Sequence, residues 1–206
     1  MKISKKSAGI LAAVLVITSG FFAYALLSPN GTKQMDAMDA MDHSGMGHGG
    51  SATVTEGKNL SADDAMFLQM MIPHHAQAVV IAEYAVTNSK NEQVLKIAKQ
   101  IKSDQAVEIT QMKKWLTDDG LGTAAGHSMA GMAGMLSEAQ LNTLKSSKGG
   151  GFDKLFLNNM IEHHQGALAM VGMIENSKVA ALRDFATAIS TAQQAEIDQM
   201  QKLLGN

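Results

Sequence analysis

The chain has 206 residues, room for one compact domain with appendages, and its formal net charge of -2 offers no basic surface for nucleic acid. Aromatic residues make up 4%, proline occurs twice, and alanine, leucine, isoleucine and methionine dominate, a composition that favours closely packed helices and argues against a sheet. Cysteine is absent while methionine occurs 16 times, which excludes disulfides and thiolate ligands and leaves any soft-metal chemistry to thioether and imidazole.

Residues 1–28 read as a signal peptide or a transmembrane anchor. Lys2, Lys5 and Lys6 precede an uncharged, mostly apolar run from Ser7 to Leu27, and Ala23-Tyr24-Ala25 is a small-residue cleavage pattern. The run is about 20 residues, also long enough to span a bilayer. Either reading keeps the lysines inside, places the remainder outside the cytoplasm and confines membrane contact to this segment. Removing the three lysines from 17 basic residues leaves 14 against 19 acidic ones, a net of -5 for the exported body.

Residues 29–60 are rich in Gly, Ser, Asp and Met and lack the apolar period that buries a helix face, so a disordered linker is expected. Met35, Met38 and Met41 recur every third residue, followed by His43, Met46 and His48. A polar linker that happens to contain methionine is the plain alternative. Exposed thioethers oxidise and add nothing to solubility, which favours auxiliary capture of Cu(I) or Ag(I).

Order should begin at Ser61, a helix N-cap with Asp63 and Asp64 in the first turn, and continue to 206. In repeat one, 61–117, Phe67, Met71, His74, Ala78, Ile81 and Ala85 fall on one helical stripe. A turn at 88–91 leads to a second helix from about Glu92 to Leu116, with Val94, Ile97, Ala98, Ile101, Gln105, Glu108, Ile109, Met112 and Leu116 in register. The connection, 118–151, carries His127, Met129, Met132 and Met135 at the same three-residue period, read as a second auxiliary capture stretch. A short helix from Ser137 to about Ser147 should end at Gly149-Gly150-Gly151. Repeat two, 152–206, predicts helices from Phe152 to Asn176 and from about Val179 to Leu204.

The repeats share a motif. Met70-Met71-Ile72-Pro73-His74-His75 returns 89 positions later as Asn159-Met160-Ile161-Glu162-His163-His164, and Gln105, Glu108, Ile109 and Met112 return at an offset of 88 as Gln193, Glu196, Ile197 and Met200. The lost residue belongs to a hairpin turn, where an indel does least harm. Two helical hairpins joined by one long connection make an all-α four-helix bundle, of the single-crossover, ferritin-like kind or of the up-down-up-down kind. With about 1.5 Å of rise per residue, an antiparallel hairpin sets His74 and His75 level with Gln105 and Met71 level with Glu108, and likewise His163 and His164 with Gln193 and Met160 with Glu196.

A single inward histidine is usually a hydrogen-bonded core residue. Two adjacent pairs in the same Met and Glu context point instead to metal ligands, with His74, His75, His163, His164, Met71, Met160, Glu108 and Glu196 as candidates and Gln105, Gln193, Met112 and Met200 beside them. Imidazole with thioether or carboxylate suits Cu(I) or Cu(II), and thioether also suits Ag(I). Either one site per repeat or one joint site satisfies the pattern.

Met71-Ile72-Pro73-His74-His75 with Gln105, Glu108, Ile109 and Met112, and the second set ending in Met200, resemble the bacterial exported family known as domain of unknown function 305. The likeness covers about 61–204 and departs at Glu162, where the first copy has Pro73. It implies a ferritin-like bundle and, by analogy with copper-binding members, extracytoplasmic copper sequestration for homeostasis or resistance, without chemical turnover.

Two alternatives stand beside this reading. A ferritin-like di-iron or other redox enzyme needs inward Glu-x-x-His motifs, whereas the runs here are Glu108-Ile109-Thr110-Gln111 and Glu196-Ile197-Asp198-Gln199. A structural or stress-response bundle needs only histidines that pack. Metal ions are the expected partners, and a homodimer or a copper-transfer partner is compatible with the chain. Because a ligating imidazole must be neutral, copper affinity at the two His pairs should fall below about pH 6, while binding by the Met runs should persist there.

Overall fold

The computed structural model describes residues 59–126, 129 and 131–205. The segment expected to be a signal or anchor, the candidate capture residues Met35, Met38, Met41, His43, Met46 and His48 of the expected linker, and His127 lie outside the described residues. Five α-helices follow in order: α1 (Ala62–Asn88), α2 (Glu92–Asp118), α3 (Glu138–Ser146), α4 (Gly149–Val171) and α5 (Ala180–Leu204), with a 3-10 turn at Gly172–Ile174.

Helix boundaries follow local chemistry. Ser61 and Asp64 form a capping box at α1, the Ser61 hydroxyl accepting from the Asp64 amide and the Asp64 carboxylate from the Ser61 amide. Asn91 caps α2 through the amides of Gln93 and Val94, and Ser137 with Gln140 repeats the box at α3. The triple glycine departs from expectation, because Gly149–Gly151 open α4 instead of closing α3. First-turn amides have no partner within a helix, so weak formers cost little there, and Gly149 at φ +56° supplies the reversal that no L side chain favours. At its other end α4 stops at Val171, short of the expected Asn176, and tightens into the 3-10 turn.

Topology follows from what each end touches. Asn88, the last residue of α1, donates through Nδ2 to the Lys145 carbonyl at 2.9 Å and accepts from Lys148. At the opposite end, the Asp119 carboxylate after α2 accepts from the Asn59 and Leu60 amides before α1. The connection therefore travels the length of the bundle. Helix α4 starts beside the end of α1 and runs antiparallel to it, with α1 packed on α2 and α4, α4 on α5, and α2 touching α5. That is the ferritin-like single-crossover arrangement; an up-down-up-down chain would begin α4 where α2 ends.

Helix α1 is long and apolar enough to cross a membrane, yet more than half of that apolar stretch is buried. Its composition reflects its central place against α2 and α4. Two apolar clusters fill the interior. One, near the first hairpin turn, holds Ile81, Ile101, Phe156, Met160 and Met200; the other holds Phe67, Met71, Met112, Leu116 and Met170. The four histidines of α1 and α4 form a polar layer between them.

The connection crosses this layer as a strap. Gln77 grips Leu136 twice, donating to its carbonyl at 2.9 Å and accepting from its amide at 2.8 Å. Across the groove, Gly166 admits the strap because it has no side chain: a Cβ there would sit 2.2 Å from the Ala133 carbonyl oxygen. Gln77 and Gly166 occupy equivalent positions in the two repeats. Gly166→Ala should therefore lift the strap and cost about 1–3 kcal/mol, read as a lower urea midpoint with an unchanged helix signal.

Candidate metal centre

His74 and His75 on α1 and His163 and His164 on α4 are each 0–1% exposed. Adjacent helical residues diverge by about 100°, so each pair splits its duties. One member turns to its own hairpin partner: His75 Nε2 meets Glu108 Oε2 at 2.7 Å, and His164 Nε2 meets Glu196 Oε2 at 2.7 Å. The other member faces the opposite repeat, with the His74 and His163 ring centroids 3.8 Å apart and tilted by 43°.

Backbone height alone set Glu108 level with Met71 and Glu196 level with Met160, one helical turn from where their carboxylates meet the imidazoles. Side chains on a helix lean toward its N-terminus. Because α2 and α5 run opposite to α1 and α4, that lean carries each glutamate from the methionine level to the histidine level.

A carboxylate accepts, so the Nε2 atoms of His75 and His164 carry hydrogen, and the Nδ1 atoms face away from the glutamates. Both Nδ1 atoms are buried without a hydrogen-bond partner, and neither ring nitrogen of His74 or of His163 makes a well-formed hydrogen bond, the only backbone groups in reach being at Ala133 for His74 and at His74 for His163. Such groups are rare in folded proteins because each costs about 1–3 kcal/mol. Burial pushes the His74 imidazole down to about 3, the neighbouring His75 adds to the shift, and the Ala133 backbone opposes it. Burial likewise holds His163 well below the ordinary histidine range, with His74 adding to the effect. The touching rings are thus neutral at physiological pH, the state in which imidazole binds a metal.

The remaining candidates take distinct places. Met71 and Met112 lie in one apolar cluster and Met160 and Met200 in the other, all fully buried on either side of the histidine layer. Gln105 and Gln193 are buried, with both polar side-chain atoms of Gln105 and Oε1 of Gln193 unpaired. Met129, Met132 and Met135 are half-buried in the strap. Sequence reasoning missed Gln77, Gly134 and Gly166, which dock the strap; the visible trace was the break in the repeat where Gln77 becomes Gly166. Among the described residues, no group of three or more His, Cys, Asp or Glu side chains is gathered at metal-holding spacing. The chemistry offered is mixed, unpaired imidazole nitrogens flanked by thioethers, and it fits a soft ion better than a carboxylate-bound one.

Fold and site together define a ferritin-like four-helix bundle with a buried histidine layer. The chain belongs to the domain of unknown function family DUF305, which it matches over residues 64–204. No functionally curated protein matches it. Similar solved structures include a DUF305 fragment from Deinococcus radiodurans, 31% identical with a TM-score of 0.67, covering 71% of this chain and 97% of that one. A DUF305 protein from Streptomyces coelicolor, named as a candidate secreted protein, is 29% identical with a TM-score of 0.66, covering 70% and 93%. CopM in its Cu(I)-bound form is 29% identical with a TM-score of 0.59, covering 69% and 95%, and CopM has also been solved with Ag and with Cu(II).

Proposed function

We propose that this protein binds and sequesters copper, as Cu(I) or Cu(II), and silver outside the cytoplasm, in metal homeostasis or resistance. The observation that carries the reading is the buried layer of four histidines in which six ring nitrogens make no well-formed hydrogen bond. A bundle that merely packs would not keep so many unpaired donors in its middle. The metal-bound forms of CopM support soft-metal binding, and the Streptomyces relative together with the export-like N-terminus supports the location.

In this reading His74, His75, His163 and His164 supply the imidazole donors, Met71 and Met160 lend thioethers from above and below, and Glu108 and Glu196 hold His75 and His164 in orientation. Contact between His74 and His163 favours one joint centre over one site per repeat. Titration of the protein with Cu(I), Cu(II), Ag(I) and Fe(II), repeated after all four histidines are changed to Ala, tests it. An unchanged stoichiometry would remove the bundle from copper binding, and iron oxidation by the wild type would return the di-iron reading. Changing Glu196 to Ala frees the His164 ring and is expected to weaken copper binding by roughly 10–100-fold, while the far-ultraviolet spectrum stays that of the folded bundle.

A further inference from the structure

The crossover strap is held by few contacts, and one of them is chemically reactive. Residues 131–136 form no helix. Their main chain makes two linked turns, with the Met132 amide donating to the Met129 carbonyl at 3.2 Å and the Met135 amide to the Met132 carbonyl at 3.0 Å. Gly131 at φ +83° and Gly134 at φ +81° take the third position of each turn, where a positive φ calls for glycine. Met132 closes the first turn and opens the second, so the fold fixes the point from which its side chain departs.

Tertiary anchoring has three parts. Leu136 is buried in one apolar cluster and clipped by Gln77 through both its carbonyl and its amide. Gly134 rests on α4 so closely that a Cβ would lie 2.7 Å from the His163 carbonyl oxygen. Met132 packs against the other apolar cluster, on the far side of the histidine layer. An aliphatic side chain and a glycine backbone do not react with mild oxidants, whereas the third anchor is a thioether that stays partly exposed. Elsewhere the methionines are protected or backed up. Met71, Met112, Met160 and Met200 are fully buried. Met66, Met70 and Met173 are partly exposed but stand on α1 and the 3-10 turn, where local hydrogen bonds hold the backbone if one side chain turns polar.

We propose that Met132 is a site of reversible oxidation, and that its conversion to the sulfoxide by hydrogen peroxide unlatches the strap from the histidine layer. A thioether lone pair attacks one peroxide oxygen; the S–O bond forms as the O–O bond breaks, sulfur gives up two electrons, and the second oxygen leaves as water with the proton of the first. The sulfoxide oxygen is an acceptor that an apolar cluster does not satisfy, so the oxidised side chain leaves the cluster for water. The Ala133 backbone, in reach of the His74 ring, and Gly134, against α4, move away with it. Enzymatic reduction of the sulfoxide restores the thioether and re-seats the strap. The latch needs no metal and stands or falls apart from the copper reading.

The test is hydrogen exchange of the full-length protein, kept metal-free by a chelator, before and after treatment with hydrogen peroxide, with peptide mass analysis locating each added oxygen. Oxygen is expected at Met132 before the four buried methionines. Exchange at the Met135 and Leu136 amides, bonded to Met132 and to Gln77, should accelerate by about tenfold or more. Met132→Leu keeps the volume without the reactive sulfur, so its strap should stay protected in peroxide. Met132→Gln, polar from the start, should exchange fast without peroxide, and methionine sulfoxide reductase should restore protection to the oxidised wild type. Oxidation at Met132 with unchanged exchange would overturn the latch, as would equal acceleration in Met132→Leu or slow exchange in Met132→Gln. A Met132 that stays reduced while the buried methionines oxidise would remove the site.

Discussion

Changing His74 and His163 together to leucine is expected to give a metal-free protein that unfolds at a higher urea concentration than the wild type and no longer holds copper in its bundle. None of the four buried ring nitrogens of these residues makes a well-formed hydrogen bond, although the Ala133 backbone lies in reach of His74 and the His74 backbone in reach of His163. Each unpaired polar group costs about 1–3 kcal/mol, and the misfit of leucine in a histidine-shaped space returns up to about 1.5 kcal/mol. The backbone contact of each ring lowers its penalty, and a net gain on the order of 2 kcal/mol remains. Added copper reverses the order, since an ion at 100 times its Kd stabilises the wild type by about 2.7 kcal/mol and leaves the variant unmoved. A double variant less stable than the metal-free wild type would mark the histidines as ordinary core residues, which is the structural-bundle alternative.

Stability of the metal-free protein should fall as the solution is acidified from about pH 6.5, earlier than carboxylate titration explains. In the unfolded chain His74 and His163 take up protons near the ordinary value, while in the bundle burial holds His74 neutral down to about 3 and His163 well below its ordinary value. The unfolded state therefore binds more protons throughout that window, so stability is complete above about pH 6.5 and is lost as pH falls toward the folded value. The loss approaches about 1.4 kcal/mol per pH unit for each imidazole. Urea melts at pH 7, 6 and 5 measure it, and the His74→Leu, His163→Leu protein should show the flatter profile. A slope equal in the two proteins would mean that the rings protonate in place. Burial also moves the onset of proton competition for metal at His74 below the pH 6 expected of an ordinary histidine.

The helices were legible because their signals are local. Ser61 with Asp64, Asn91 and Ser137 are capping residues within one turn of what they cap, and the stripe from Phe67 to Ala85 is buried throughout. The pairing of His75 with Glu108 and of His164 with Glu196 was half legible. Rise per residue brought them within a turn, and the lean of side chains toward each helix N-terminus closed the remainder. The glycines at 149–151 misled as breakers, since they begin a helix, and the role of Gly166, whose missing Cβ admits a neighbouring strap, left no local signal.

The sequence by itself determined that the chain is helical and duplicated and that its histidines and many of its methionines are concentrated in repeated contexts, because composition, caps and periodicity act over a few residues. Only the tertiary structure decided that the two halves meet through His74 and His163, that the crossover lies across that contact, and that the ring nitrogens there make no well-formed hydrogen bond. Those are facts about residues 29 to 89 positions apart, and their separation in space depends on which helix lies beside which. A repeat read along the chain describes each half alone, whereas the candidate centre arises where the halves touch.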